Sequence, residues 1–216
     1  MSPRAMSPRS SATRHIRAYV GLGANLGDPA ESLAWAVGAL GVRPDVRVGA
    51  VSRLFRTAPW GVLDQPDFRN AVASLEVTLG ADPAAGALEL LRWFKELERE
   101  AGRRAGSRWG PRGLDLDLLV FGRHRIRVER PADARSLDAA VDAVKAARLL
   151  EVPHRELGQR LFVLAPLADL APRLVPPGWH ETVERARRRL AAREPAAAVR
   201  AIGSWDPDRG RWTSDA

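Results

Sequence analysis

The chain has 216 residues, enough for one well-buried domain with extensions and too few for two large domains. It contains no cysteine, which excludes disulfides and thiolate metal sites, and its four histidines include no HExxH pair, which argues against a zinc hydrolase. The net charge is +8, and only Lys95 and Lys145 among the 34 basic residues are lysines. This arginine excess fits either phosphate-bearing ligands or a compositional bias spread over solvated surfaces.

The N-terminal segment is basic and rich in serine and proline, and no apolar stretch typical of a secretion signal follows it. No run of about 18 apolar residues could span a bilayer. We therefore expect a cytoplasmic protein. Its predicted parts are a disordered basic tail over 1–15, a main domain over 16–180 and a C-terminal helical extension with a tail over 181–216.

The predicted elements indicate an α+β fold. In chain order they are a strand over 15–23, a helix over 28–40, a strand over 46–57, a strand over 70–79, a helix over 82–102 and a strand over 113–122. Asp28 and Pro29 have the residue types of a helix cap and a first helical position. The order strand, helix, strand, strand, helix, strand is that of a ferredoxin-like βαββαβ sandwich, in which helices pack on an antiparallel sheet.

Two further segments lie outside this order. Residues 123–150 look like an insertion, and apolar residues at near-helical spacing between Ser136 and Leu150 predict an inserted amphipathic helix. Residues 180–200 predict one or two C-terminal helices, whereas the residues after them show no clear pattern.

The glycine-rich stretch GLGANLGD, residues 21–28, is not a nucleotide-binding signature. Its third glycine, Gly27, stands one position too late for GxGxxG, and no lysine follows a glycine as a P-loop requires. The stretch predicts a tight turn between a strand and a helix.

The run RWGPRGLDLDLLVFG, residues 108–122, places two aspartates in an otherwise apolar strand. Alternate strand residues point to one face, so Asp115 and Asp117 share a side, with Cβ atoms about 7 Å apart. One interpretation is an edge strand with a solvated face. The other is a phosphoryl-transfer site, in which the carboxylates bind Mg²⁺ and nearby arginines balance phosphate charge. The arginines just before the pair are Arg103, Arg104, Arg108 and Arg112.

Specific motifs follow one another between Ala18 and Pro172. They are VGLGANLGDP, FRTAPWG with DQPDFRNAV, RWGPRGLDLDLLVFG, and VPH with RLFVLAPLADLAP. Together they resemble the 6-hydroxymethyl-7,8-dihydropterin pyrophosphokinase family of folate biosynthesis. The resemblance implies an enzyme that moves the β,γ-diphosphate of ATP to the hydroxymethyl group of a reduced pterin and releases AMP. From this resemblance we expect ATP as the co-substrate and two Mg²⁺ ions as cofactors. We also expect a monomer that has no nucleic-acid or membrane partner.

The resemblance also implies roles for individual residues. The catalytic residues would be Arg104, Arg112, Asp115 and Asp117, with both aspartates as magnesium ligands. The ATP-binding residues would be Glu98, Arg103, Arg112, His154 and Arg160. The pterin-binding residues would be Thr57, Trp60, Phe68, Asn70 and Phe162, where the two phenylalanines stack on the ring and the amide reads its polar edge. Arg148 is a candidate for one further phosphate contact.

Plainer interpretations of the same residues remain open. Phe68 and Phe162 are also typical core residues, and His154 is a typical turn residue after Pro153. The main competing hypothesis is a basic ferredoxin-like RNA-binding module, although the aromatic and basic string of such modules is missing. An enzyme that acts on another small alcohol is the third hypothesis.

Overall fold

The computed structural model describes residues 14–59, 64–102, 111–131, 147–195 and 198–214. Its strands are β1 (Arg14–Ala24), β2 (Val46–Val51), β3 (Leu54–Thr57), β4 (Phe68–Leu79), β5 (Asp115–Phe121), β6 (Ile126–Glu129), β7 (Arg148–Val152), β8 (Val199–Asp206) and β9 (Arg211–Ser214). Its helices are α1 (Pro29–Leu40), α2 (Pro83–Glu100), α3 (Leu161–Leu170) and α4 (Val183–Ala191). Within the described ranges, no helix is long and apolar enough to cross a membrane.

The main sheet has seven strands in the order β5-β1-β4-β3-β8-β9, and β2 also pairs with β4. All of these pairs are antiparallel, and β1 pairs with β4 along its whole length and with β5 on its other side. With β2 and β3 taken as one interrupted strand, the central order is the ferredoxin-like one. The α+β class and the ferredoxin-like fold predicted from the sequence are confirmed.

Both predicted helices of the sandwich begin at aspartate caps. The Asp28 carboxylate accepts the Glu31 amide at 3.1 Å, and the Asp82 carboxylate accepts the Ala84 amide at 2.8 Å. A proline follows each cap, where the missing amide hydrogen would have had no partner within the helix. The buried sides of α1 and α2 pack on one face of the sheet.

The sheet has a hydrophobic core on each face. Val20 and Leu22 of β1 belong to the core under α1 and α2, whereas Tyr19 of the same strand belongs to a second core under α3 and α4. Because strand residues alternate between faces, Gly21 and Gly23 lie on the face of Tyr19. The second face therefore continues from a helix-covered core to a stretch of sheet without bulky side chains.

Two segments differ from the elements predicted. The strand predicted over 46–57 is interrupted at Ser52 and Arg53, and the register on β4 shifts across the interruption. Beyond α4, which lies within the predicted C-terminal helices, residues 199–214 form the C-terminal hairpin (β8 and β9), which joins the sheet along β3. The C-terminal extension thus contains a helix followed by two strands rather than helices alone.

The other predicted segments are described only in part. β1 begins at Arg14, inside the stretch predicted as a tail, and residues 1–13 lie outside the described residues. Most of the predicted inserted helix, residues 136–146, also lies outside them. Its last residues belong to β7, which pairs with β6 in a separate two-stranded ribbon.

Candidate active site

A cavity of about 490 Å³ opens on the second face of the sheet, a size typical of small-molecule sites. Gly21 and Gly23 form part of its floor, where an added Cβ would lie 3.4 Å from the Leu119 side chain and 3.1 Å from Asn70 Oδ1, respectively. The glycines therefore keep the floor open. Several predicted site residues line this cavity: Thr57, Phe68, Asn70, Arg112, Asp115, Asp117, His154, Arg160 and Phe162.

The two aspartates lie on β5, at the edge of the sheet. Asp115 is opposite Gly23 and Asp117 is opposite Gly21, so both carboxylates face the cavity over the glycine floor. Arg112 Nη1 donates to Asp115 Oδ2 at 2.5 Å. Of the two interpretations that the spacing allowed, the structure favours the functional one, because the shared face is the wall of a cavity rather than open solvated surface.

The charges around Asp117 keep this carboxylate ionised. Burial pushes its pKa upward, but the nearby His154, in its protonated form, and the positive charges of Lys95, Arg160 and Arg112 outweigh burial, so the pKa lies below its ordinary value. The cavity wall thus holds a fixed negative charge surrounded by cations, which is an arrangement suited to a metal ion bound to a polyanion.

His154 is held as a neutral imidazole. Burial lowers its pKa below the ordinary value, and the nearby Arg160 acts in the same direction against the opposing attraction of Asp117. Its backbone amide donates to the Leu119 carbonyl at 2.8 Å, and its Nδ1 accepts the Glu156 amide at 3.3 Å. The proton of the neutral ring is therefore assigned to Nε2, which makes that nitrogen a hydrogen-bond donor.

The other side of the cavity combines aromatic and amide groups. Phe68 and Phe162 line it from β4 and α3, and the Arg160 guanidinium lies 5.6 Å from the centre of the Phe162 ring. The buried Asn70 donates through Nδ2 to Thr57 Oγ1 at 2.7 Å. The amide Oδ1 lies toward Gly23, on the floor of the cavity.

Asn25, within the glycine-rich stretch, connects two segments that lead into the cavity wall. Its side chain is 2% exposed. Nδ2 donates to Gln65 Oε1 at 3.0 Å and to the Pro66 carbonyl at 3.1 Å, while Oδ1 accepts the Arg112 amide at 2.7 Å. Asn25 therefore positions the segment before Phe68 relative to the segment before Asp115, a role that the sequence did not reveal.

Glu98 is buried next to the strand that carries the two aspartates. It is 1% exposed and does not line the cavity. Its Oε1 accepts the Leu116 amide at 2.9 Å and Lys95 Nζ at 2.7 Å. Its carboxylate is turned to the backbone between the two aspartates and holds β5 against α2, and the ATP-binding role expected for Glu98 stays a prediction.

Sequence reasoning missed several residues of the cavity wall, namely Lys95, Arg130, Arg155 and Glu156. A helical spacing of three from Glu98 could have indicated Lys95. Arg130 lines the wall where Arg148 was the candidate, and Arg148 instead pairs with Glu151 at 2.6 Å. Burial pushes the pKa of Glu151 upward, but its bonds to Arg148 and Arg127 hold the pKa below its ordinary value.

Three predicted residues lie outside the described part of the chain. Trp60 falls in residues 60–63, and Arg103 and Arg104 fall in residues 103–110. Their roles remain predictions.

The residues present fit a magnesium site that is completed by a ligand. Among the described residues, no group of three or more histidine, aspartate or glutamate side chains is arranged to hold a metal by itself. Mg²⁺, however, is commonly bound by one or two carboxylates together with phosphate oxygens and water. Asp115 and Asp117 provide such a pair on one face, with cationic side chains close by.

Comparison with known proteins agrees with this geometry. The family described as 7,8-dihydro-6-hydroxymethylpterin-pyrophosphokinase (HPPK) matches residues 19–172. A 2-amino-4-hydroxy-6-hydroxymethyldihydropteridine pyrophosphokinase of Pseudomonas aeruginosa is 41% identical over 165 residues, which cover 76% of this chain and 86% of the relative. The protein of that name from Methylorubrum extorquens is 39% identical over 174 residues, 81% of this chain and 93% of the relative. The fold is similar to a crystal structure of Plasmodium falciparum HPPK-DHPS with pteroate, at a TM-score of 0.64 and 13% identity, over 95% of this chain and 48% of that one.

The fold and the cavity define an α+β protein in which one cavity on the sheet is lined by a carboxylate pair, several cations, two phenylalanine rings and a buried amide. The match over residues 19–172 and the identity to the bacterial relatives make the assignment specific. The chain belongs to the 7,8-dihydro-6-hydroxymethylpterin-pyrophosphokinase family.

Proposed function

We propose that the chain transfers diphosphate from ATP to the hydroxymethyl group of 6-hydroxymethyl-7,8-dihydropterin, in folate biosynthesis. The hydroxyl oxygen forms a bond to the β-phosphorus of ATP, and the bond between that phosphorus and the oxygen bridging it to the α-phosphorus breaks. The products are the pterin diphosphate and AMP, and the hydroxyl proton is released. The observation that carries the proposal is that one cavity contains a carboxylate pair, several cations, two phenylalanine rings and a buried amide.

The acidic side of the cavity supports a nucleotide site. Asp115 and Asp117 would hold the Mg²⁺ ions, two in number by the family resemblance, and bound magnesium would neutralise the triphosphate and polarise the phosphorus under attack. Arg112 and Arg160 would balance the remaining phosphate charge, with Arg103 and Arg104 acting from the adjoining segment. The neutral His154 would donate a hydrogen bond without adding charge.

The aromatic side of the cavity supports a site for a flat heterocycle. Phe68 and Phe162 would stack on the pterin ring, and Asn70 would read its polar edge with an amide that Thr57 already orients. Trp60 would complete this side. The acidic and aromatic groups line the same cavity, so the two substrates would be held in reacting geometry, and positioning would supply much of the rate.

The direct test is product analysis. Incubation of the protein with ATP, Mg²⁺ and the pterin should yield AMP and pterin diphosphate in equal amounts, resolved by anion-exchange chromatography. Formation of ADP, or no AMP, would contradict the proposal. Omission of Mg²⁺ in the presence of a chelator should abolish product.

A variant of the acid pair links this activity to the cavity. Asp117→Ala should abolish turnover while circular dichroism and the cooperative unfolding transition are retained. Asp208→Asn is a matched control, because Asp208 lies in an exposed turn and its side chain has no role in the cavity. Activity retained in the Asp117 variant would argue strongly against the metal-binding role.

The RNA-binding alternative finds no support among the relatives reported above, which are named as pyrophosphokinases. Filter binding of single-stranded RNA over a range of salt concentrations would detect it, since contacts to several phosphates give a steep salt dependence. We expect only weak binding without sequence preference. A monomeric state and a cytoplasmic location remain parts of the proposal, and sedimentation would test the first.

A further inference from the structure

The C-terminal hairpin lies beyond the region that the family description matches, which ends at residue 172. Nevertheless, β8 pairs with β3 along the whole of that strand, from Leu54 opposite Gly203 to Thr57 opposite Val199. β3 has only four residues and lies between β4 and β8. Without the hairpin it would be a short edge strand with unpaired backbone groups, which is a weakly held arrangement.

A side chain of the hairpin also holds the start of β3. Trp212 Nε1 donates to the Ser52 carbonyl at 2.8 Å, at the interruption between β2 and β3. Ser52 is bound to β4 in turn, because its amide donates to the Val72 carbonyl and its Oγ accepts the Val72 amide, both at 2.9 Å. Trp212 is packed edge-on against Trp205, with ring centres 4.6 Å apart, and this contact fixes its direction.

The other end of β3 belongs to the cavity. Thr57 is opposite Phe68 on one side and Val199 on the other, and its hydroxyl accepts Asn70 Nδ2. Thr57, Phe68 and Asn70 are among the residues of β3 and β4 that line the cavity. A displacement of β3 would therefore move this side and leave the aspartates of β5 in place, since β1 and β4 separate β5 from β3.

We propose that the C-terminal hairpin is a positioning element for the aromatic side of the cavity and that Trp212 is the positioning residue through which it acts. This inference rests on the proposed function. The hairpin holds β3 at both ends, and β3 presents Thr57 to Asn70. Loss of the hydrogen bond from Trp212 to Ser52 should weaken binding of the pterin and leave nucleotide binding unchanged.

The test is Trp212→Phe in the full chain. This change removes the indole N–H and keeps an aromatic ring against Trp205. The expected result is a rise in KM for the pterin of about threefold to tenfold, the factor corresponding to one ordinary hydrogen bond, with kcat at saturating pterin unchanged. The affinity for a non-hydrolysable ATP analogue with Mg²⁺, measured by calorimetry, should also be unchanged.

Trp205→Phe is the matched control. It makes the same chemical change in the other ring of the pair, which donates no hydrogen bond to Ser52, and it keeps an aromatic ring against Trp212, so KM for the pterin should stay at the wild-type value. Gly203→Ala is an independent second test, because the added Cβ would lie 2.6 Å from the Thr213 carbonyl oxygen and force the two strands of the hairpin apart. It should raise KM for the pterin at least as much as Trp212→Phe.

The outcomes separate this inference from the proposed function. If wild-type protein forms no AMP from ATP and the pterin, the proposed function fails and the inference fails with it. If wild-type protein is active but Trp212→Phe has an unchanged KM for the pterin, only the inference is overturned. The inference is also overturned if Trp212→Phe weakens pterin and nucleotide binding equally and in proportion to a loss of thermal stability. A merely structural role of Trp212 predicts that result.

Discussion

At the scale of single residues, the absence of a side chain at Gly23 is as important as the groups around it. An added Cβ would lie 3.1 Å from Asn70 Oδ1, closer than nine in ten real contacts of this kind. Gly23→Ala should therefore displace the Asn70 amide and weaken its 2.7 Å bond to Thr57 Oγ1. We predict a rise in KM for the pterin of about tenfold, equivalent to about 1.4 kcal/mol, in steady-state kinetics.

The control for this prediction is the same substitution at Gly38 in the last turn of α1. No atom outside the local helix backbone lies within 4 Å of a Cβ at that position, so Gly38→Ala should leave both KM values unchanged and stabilise the protein by about 0.5–1 kcal/mol. If Gly23→Ala behaves like the control, the amide is not held by close packing against the glycine floor.

The placement of a site residue could be predicted from the sequence where it follows from a local pattern. The alternation around Asp115 and Asp117 placed both carboxylates on one face, and the structure shows that face in the cavity wall. The role of Asn25 could not be predicted in this way, because its partners Gln65 and Arg112 lie 40 and 87 positions away. Local pattern gives the direction of a side chain, but only the fold gives its distant partners.

At the scale of elements, Glu98 attaches the strand that carries the acid pair to the helix behind it. Its carboxylate is buried and accepts both the Leu116 amide and Lys95 Nζ. Glu98→Ala would leave a buried amide without a partner, and we predict a loss of about 1–3 kcal/mol in the free energy of unfolding, measured with urea. Glu98→Gln retains an acceptor for Leu116 and should lose less, with KM for ATP close to wild type.

The exposed neighbour Glu96 on the same helix provides the control. Its ion-pair partner Arg99 lies at 4.0 Å, so Glu96→Gln should change stability by only a few tenths of a kcal/mol. A large rise in KM for ATP in the stable Glu98→Gln variant would show that Glu98 acts on the nucleotide, as first expected.

An ion pair in the first turn of α4 should make the free energy of unfolding depend measurably on pH. Bonds to Arg187 and Arg188 outweigh the opposing effect of burial and lower the pKa of Glu184 from 4.5 to about 2. Because the folded-state pKa is depressed, the stabilisation is complete above about pH 4.5 and is lost as the pH falls toward about 2. Glu184→Gln should lower the free energy of unfolding at pH 7 by about 1–2 kcal/mol, after allowance for solvent screening.

The check on Glu184 is a pair of urea titrations. The difference between wild type and Glu184→Gln should be largest at neutral pH and should shrink steadily below about pH 4.5. The exposed Glu194, three residues after the end of α4, provides the control. Glu194→Gln should have little effect on the free energy of unfolding at neutral or at acidic pH. A difference independent of pH would refute the assignment.

Elements were predicted best where their signals are local. The caps at Asp28 and Asp82 begin helices in the structure as the sequence indicates. The C-terminal hairpin was missed because its strands are half-exposed and show no clear alternation of apolar and polar residues. The partner of β8 is β3, about 140 positions earlier in the chain, and a pairing over that distance leaves no mark on a local window.

At the scale of the whole molecule, the site is coupled to global stability. β1 contributes residues to both hydrophobic cores, and the cavity wall combines residues of β1, β4, β5 and α3. A ligand that binds this wall is bound only by the folded chain. Its binding must therefore raise the free energy of unfolding, by about 2.7 kcal/mol at a ligand concentration 100 times the Kd.

This linkage tests the metal-binding proposal without turnover. Urea unfolding, followed by tryptophan fluorescence, should show that increase with a non-hydrolysable ATP analogue and Mg²⁺ at 100 times the Kd, and a chelator should remove most of it. In the double variant Asp115→Asn, Asp117→Asn the ligand-induced increase should disappear, because the proposal assigns metal binding to these two carboxylates. The increase is measured within each variant, so any change in the stability of the ligand-free protein cancels. Asp208→Asn should show the full increase, and the same increase in the double variant would exclude the acid pair as the nucleotide–metal site.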